Sequence, residues 1–245
     1  MIKEIIFKGI RFTNFSNKDF NKIIIKKGLF VFPSGPGLAS INDSRKYHLS
    51  LKKSDFVFFD SGFFVILLRY LKRVKVQKFS GYLFIKFFLN YLKYNINNKI
   101  LLVDPDLKIA NLNKNLFHKM GIKQKIRHYV APIYNPNSII DKNLLSIVNK
   151  FKPKYILINI AGNIQEILGL YLKNNMYKKS TIICTGAAIS FFTKEQAPIN
   201  NFYDKLYLGW LIRIIFKPKI FLPRYIRSLK LFFLILNNKI KVINK

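Results

Sequence analysis

Short apolar runs alternate with stretches of helical period from Leu29 to Thr185, and this alternation restricts the fold more than any other feature of the chain. Leu29–Phe32, Asp55–Phe59, Ile100–Val103, Lys125–Val130, Tyr155–Ile160 and Thr181–Thr185 read as strands. Asp43–Lys53, Phe63–Lys72, Phe79–Lys93, Leu107–Met120, Asp141–Phe151 and Ile164–Lys173 read as the helices between them. The pattern predicts an α/β fold, a Rossmann-like, mostly parallel sheet with helices on both faces. Ligands of such sheets lie beyond the carboxyl ends of the strands. The loops that end strands are Pro33–Gly37 (read as a turn), Asp60–Gly62, Ala161–Glu166 and Thr185–Ala188, and each carries glycine or a reactive polar residue.

After about Ala197 the character changes. Residues 1–197 read as the α/β domain and 198–245 as a basic, aromatic, amphipathic C-terminal appendage. Tyr203, Leu206, Tyr207, Trp210, Leu211 and Ile214 recur at helical spacing, punctuated by Arg213, Lys217, Lys219, Arg224 and Arg227. Basic residues beside Trp, Phe and Leu suit contact with an anionic membrane surface. Ordinary helix packing and self-association into a homo-oligomer are the alternatives for that face. No apolar run reaches the roughly 20 residues of a bilayer span. The net charge of +32, from 43 basic and 11 acidic residues, attracts polyanions, although abundant Lys, Ile, Asn and Phe also follow from an AT-rich coding bias. A nucleic-acid binder is a competing reading, but the charges are dispersed and no nucleic-acid motif occurs, so no nucleic-acid partner is expected. Cys184 is the only cysteine, which excludes an intramolecular disulfide. The start, Met1-Ile-Lys-Glu4, lacks a signal peptide's apolar stretch, and a cytoplasmic location is expected.

Acids are scarce enough to be weighed one by one. Asp60 ends an apolar strand and reads equally as a general base or as the N-cap of the next helix. Asp104-Pro-Asp106 has a D-x-D spacing that can hold a metal and a nucleotide diphosphate, while Asp106 also reads as a helix cap. Gln165-Glu166 opens a helix after a Gly-containing turn, where Gln can bind a sugar or phosphate and Glu suits the helix dipole. His48, His118 and His128 have no zinc-ligand spacing. Neither a metal nor another cofactor is expected.

Taken in order, these loops resemble the WecG/TagA/CpsF family of glycosyltransferases. That family's pattern is D-G-x-G after a buried strand, then R-x-x-G, G-x-P-x-Q-E, G-G-A-F, and finally A-P with L-E-W-L-x-R and a basic tail. Here Asp60-Ser-Gly62, Lys78-Phe-Ser-Gly81, Ala161-Gly-Asn-Ile-Gln165-Glu166, Thr185-Gly-Ala-Ala188, Ala197-Pro198 and Leu208-Gly-Trp210-Leu-Ile-Arg213 stand in that order, followed by Lys217-Pro218 and Arg224-Tyr225. The chain departs from the pattern at several places. Phe32 and Ser34 replace a T-x-N, Lys78 replaces Arg, Asn163 replaces Pro and Gly209 replaces Glu. The resemblance implies an inverting transfer from a UDP-sugar, typically UDP-N-acetylmannosamine, to a polyprenyl-diphosphate-linked acceptor, at the inner face of the membrane, in cell-surface polysaccharide synthesis. It implies Asp60 as the base. It further implies Ser34, Lys78, Gly81, Gln165, Glu166, Gly186, Arg213 and Arg224 as substrate-binding residues. The replaced positions leave a non-catalytic scaffold of a polysaccharide assembly complex as the alternative.

Overall fold

The computed structural model describes residues 2–195 and 201–244. Ala197 and Pro198, with the expected domain boundary, lie outside the described residues. The strands are β1 (Ile2–Phe7), β2 (Ile10–Thr13), β3 (Gly28–Val31), β4 (Phe56–Phe58), β5 (Lys99–Asp104), β6 (Lys125–Val130), β7 (Tyr155–Ile158), β8 (Thr181–Cys184) and β9 (Ile240–Asn244). The α-helices are α1 (Phe20–Ile24), α2 (Gly35–Ala39), α3 (Arg45–Lys52), α4 (Gly62–Lys72), α5 (Gly81–Tyr94), α6 (Leu107–Lys119), α7 (Lys142–Phe151), α8 (Ile164–Asn175), α9 (Asn201–Lys205), α10 (Gly209–Phe216), α11 (Pro218–Ser228) and α12 (Lys230–Leu236).

The strands form one sheet in the order β6-β5-β7-β8-β3-β4-β2-β1-β9. Pairing is parallel from β6 through β2 and antiparallel at β2–β1 and β1–β9. The mostly parallel α/β sheet foreseen from the alternation is therefore present. Side chains divide by strand parity. Leu29, Val31, Val57, Phe59, Ile156, Ile158 and Ile182 enter one core with Leu51, Phe64 and Leu168 from helices. Phe30, Phe32, Phe58, Leu102, Leu157 and Ile183 enter the other with Phe84 and Phe88 of α5. That second layer is held by aromatic contacts such as Phe32–Phe58, whose ring centroids are 4.7 Å apart.

Two local features differ from the sequence reading. The Pro33–Gly37 turn is short, because Ser34 caps α2 by accepting from Gly37 N–H at 3.3 Å. Pro36 sits in the first helical turn, where a missing N–H costs nothing. The helical run expected through Tyr203–Ile214 is broken between α9 and α10, where Tyr207 takes φ +62. The N-terminal hairpin was not anticipated. Lys8 and Gly9, both at positive φ, turn β1 into β2 with Phe7 opposite Ile10.

The C-terminal segment is built onto the sheet. α11 packs on α2 and α12 on α4, Leu231 and Ile235 are fully buried in the first core, and β9 extends the sheet beside β1.

Helix α8 lies close to the sheet at Gly169. A Cβ there would stand 2.7 Å from Leu29 Cδ1 and 3.0 Å from Cys184 Sγ. Gly169→Ala is expected to destabilise the protein by about 1–3 kcal/mol, despite alanine's better helix propensity. Gly162→Ala, where a Cβ meets nothing within 4 Å, is expected to change stability by under about 0.5 kcal/mol. Paired chemical denaturation curves check the difference.

Candidate functional site

Strands β8, β3 and β4 are neighbours in the sheet, so their carboxyl ends deliver three loops to one place. There a cleft of about 310 Å³ opens, floored by Ser34-Gly35, Asp60-Ser61-Gly62 and Thr185. Lys78, Ser80 and Gly81 close one side, and Asp204, Tyr207, Trp210 and Arg213 of the C-terminal segment cover it. Ligands of doubly wound sheets sit at this position, beyond the carboxyl ends of the strands.

Helix starts point at this cleft. Ser61 Oγ accepts from Phe64 N–H at 3.2 Å to cap α4, and Ser80 Oγ accepts from Leu83 N–H at 3.2 Å to cap α5. Both caps line the cleft, so the positive ends of two long helices face it. Because Ser61 takes the cap of α4, Asp60 does not. Asp60 Oδ1 instead accepts from Gly81 N–H at 2.8 Å, which ties the end of β4 to the start of α5. A Cβ at Gly81 would meet Thr185 and Ala188 at ordinary contact distances of 3.4 and 3.5 Å, so the start of α5 also lies against the loop after β8. Burial raises the Asp60 pKa above the ordinary carboxylate range, against the opposing pull of the Gly81 N–H, Arg213 and Lys78, and Asp204 pushes it further up.

Two cationic side chains share the cleft. Lys78 Nζ donates to Asp204 Oδ1 at 2.6 Å and to the Asp204 carbonyl at 2.7 Å, and lies 5.3 Å from the Tyr207 ring centroid. The Arg213 guanidinium lies over Phe191, 5.0 Å from its centroid, and near Phe221. Its Nε is buried without a hydrogen-bond partner, as is Thr185 Oγ1. Both residues line the cleft, while these two atoms are themselves closed off from solvent. Tyr207 keeps its positive φ while its ring abuts Gly62, where any Cβ would lie 2.8 Å from Tyr207 Cδ1.

The residues named from the sequence fall into three groups. Ser34, Asp60, Lys78, Gly81 and Arg213 line the cleft together. Gln165, Glu166 and Gly186 stand behind it. Gln165 Oε1 accepts from Gly186 N–H at 2.7 Å, and Gln165 Nε2 donates to Glu166 Oε1 at 3.0 Å, so the pair buttresses the loop that carries Thr185. Arg224 is exposed, beyond the lining residues, with its guanidinium 5.9 Å from the Phe221 centroid. Sequence reasoning passed over Asp204, Tyr82 and Ser80. Asp204 had a usable signal, as a lone acid in a basic segment.

Other sequence candidates have structural tasks. Asp104 is fully buried and accepts from Asn113, Asn159 and His128, while Asp106 Oδ1 caps α6 through Ile109 N–H at 2.8 Å. The two carboxylates of the D-x-D are thus committed separately. Cys184 is fully buried with its thiol donating to Gln165 O at 3.4 Å, and burial, followed by the Glu166 charge, pushes its pKa well up. A thiol so placed is no nucleophile. Among the described residues no group of three or more His, Cys, Asp or Glu is placed to hold a metal ion.

The sequence model of the Glycosyl transferase WecG/TagA/CpsF family matches residues 5–245. No curated protein matches significantly.

Glu166 supplies a test of the buttress. Burial lifts its pKa to about 7, against the opposing effect of its own N–H, the Gln165 side chain and the Asn163 backbone, and its Oε2 has no partner. The folded state thus holds a proton that the unfolded chain releases near the ordinary Glu value. That contribution is full below about pH 4.3 and is lost as pH rises toward 7. Wild-type stability relative to Glu166→Gln is expected to fall by about 3 kcal/mol across that window. Urea melts of both proteins at several pH values measure it.

Proposed function

The chain belongs to the WecG/TagA/CpsF family of glycosyl transferases, and from that premise we propose an inverting transfer of a sugar from a UDP-sugar to a polyprenyl-diphosphate-linked acceptor. The observation that carries this reading is the placement of Asp60. Its carboxylate is held by the Gly81 N–H at the cleft floor, its proton affinity is raised, and cationic side chains stand beside it. An inverting displacement requires a base on the acceptor hydroxyl and stabilisation of the departing diphosphate. Asp60 takes the hydroxyl proton as the acceptor oxygen attacks the anomeric carbon. The bond to the UDP oxygen breaks on the opposite face. The helix starts at Gly62 and Gly81, with Arg213, offset the charge that develops there. Thr185 and Arg213 line the cleft where the donor would sit. Gln165, Glu166 and Gly186 act from behind by fixing the Thr185 loop.

The aromatic and basic cover of the cleft suits a lipid-linked acceptor. Trp210, Ile215, Ile220, Ile226 and Phe233 are exposed on the C-terminal helices, interleaved with Lys217, Lys219, Arg224 and Arg227. Among the described residues no helix is long and apolar enough to cross a membrane. In this reading helices α9 to α12 rest on an anionic membrane surface and roof the cleft over the lipid diphosphate. Placed at the inner membrane face, the enzyme serves cell-surface polysaccharide synthesis, with an N-acetylmannosamine-like sugar as the transferred group.

Asp60→Asn is expected to lower kcat by about 10²–10⁴-fold while UDP affinity stays within a few-fold of wild type. A radiolabelled transfer assay with a polyprenyl-diphosphate-sugar acceptor, paired with calorimetric UDP titration, checks both. Normal turnover by the variant removes Asp60 as the base.

A further inference from the structure

Asp204 reaches the cleft from α9 and occupies the cation that a phosphorylated ligand would need. Its carboxylate is 2.6 Å from Lys78 Nζ, and the exposures of the two side chains are only 10% for Lys78 and 15% for Asp204. The ammonium is saturated further by the Asp204 carbonyl and by the face of Tyr207. Asp60, Asp204, Lys78 and Arg213 are the acids and bases among the residues lining the cleft, and their formal charges cancel. A cleft that must take up a diphosphate is thus held neutral by an acid from its own roof.

We propose that Asp204 is a positioning residue that stands in for the donor's diphosphate. In the empty cleft it holds Lys78 beside Asp60, and it yields the ammonium to the diphosphate when the donor enters. The inference rests on the transferase reading above and adds a residue that reading does not use. Exchange leaves the Asp204 carboxylate without its cation while Asp60 is nearby. Like charges disfavour a second ionisation, so donor binding strengthens Asp60 as a proton acceptor. The groups that face Asp60 are the Gly81 N–H, Arg213, Lys78 and Asp204, and Tyr47 of α3 feels both Asp60 and Glu166. Asp204 is the carboxylate of this set that acts to raise Asp60.

The test measures UDP and inorganic pyrophosphate binding by calorimetry, and the pH profile of kcat/KM, for wild type, Asp204→Asn and the double variant Lys78→Met/Asp204→Asn. Asp204→Asn removes the internal competitor and is expected to bind both ligands about tenfold more tightly. The acid limb of its pH profile is expected to move to lower pH. The double variant, which replaces the pair without leaving a lone charge, is expected to bind both ligands more weakly than Asp204→Asn. A purely structural ion pair predicts the opposite pattern. Affinity would then stay level or fall in Asp204→Asn, the double variant would bind as Asp204→Asn does, and the pH limb would not move; that result overturns the proposal. Tighter pyrophosphate binding by Asp204→Asn, with UDP binding to neither protein, keeps the exchange and removes the UDP-donor reading.

Discussion

The hydrogen bond from Gly81 N–H to Asp60 Oδ1 is the joint on which the cleft depends. A carboxylate at the end of a strand between two Phe-rich cores loses hydration, and it persists only where donors replace water. One donor comes from the start of α5, and Arg213 of the roof and Lys78 of the side wall add their charge. At the same point α5 meets the loop after β8, with Gly81 beside Thr185 and Ala188. Asp60, the helix starts and the Thr185 loop therefore meet at one place, which the adjacency of β8, β3 and β4 makes reachable.

The C-terminal segment completes the arrangement. Its inner side joins the core through Leu231 and Ile235, and β9 closes against β1, so the roof is anchored at both the cleft and the sheet edge. Between those anchors it presents Arg213 and Asp204 downward and apolar residues outward. A roof so divided couples two environments, the charged floor and whatever apolar surface lies above.

Much of this was legible in the sequence, and the reasons differ by element. The central strands declare themselves because both faces are buried and the apolar runs are continuous, and caps such as Asp106 and Asp141 mark the helix starts. The switch-point loops follow from strand order, and the ordered motifs tied them to a family. Other features depend on partners distant in sequence. β1 has an alternation too weak to read until β2 and β9 flank it. The two tasks open to Asp60 could be separated only once Ser61 was seen to take the cap. Gln165 and Glu166 stand out from their place at a helix start, but their burial and their bonds to each other and to the Gly186 N–H became visible only in the fold. The Lys78–Asp204 pair joins residues far apart along the chain, and no local pattern announces it.

The most direct test of this account is a crystal structure of the protein with UDP. The diphosphate is expected in the cleft, against the starts of α4 and α5 and within hydrogen-bond reach of Arg213, with Asp60 facing the space left for the sugar. UDP seated elsewhere, at the carboxyl ends of β5 and β6 or on the outer face of α10 to α12, would contradict it.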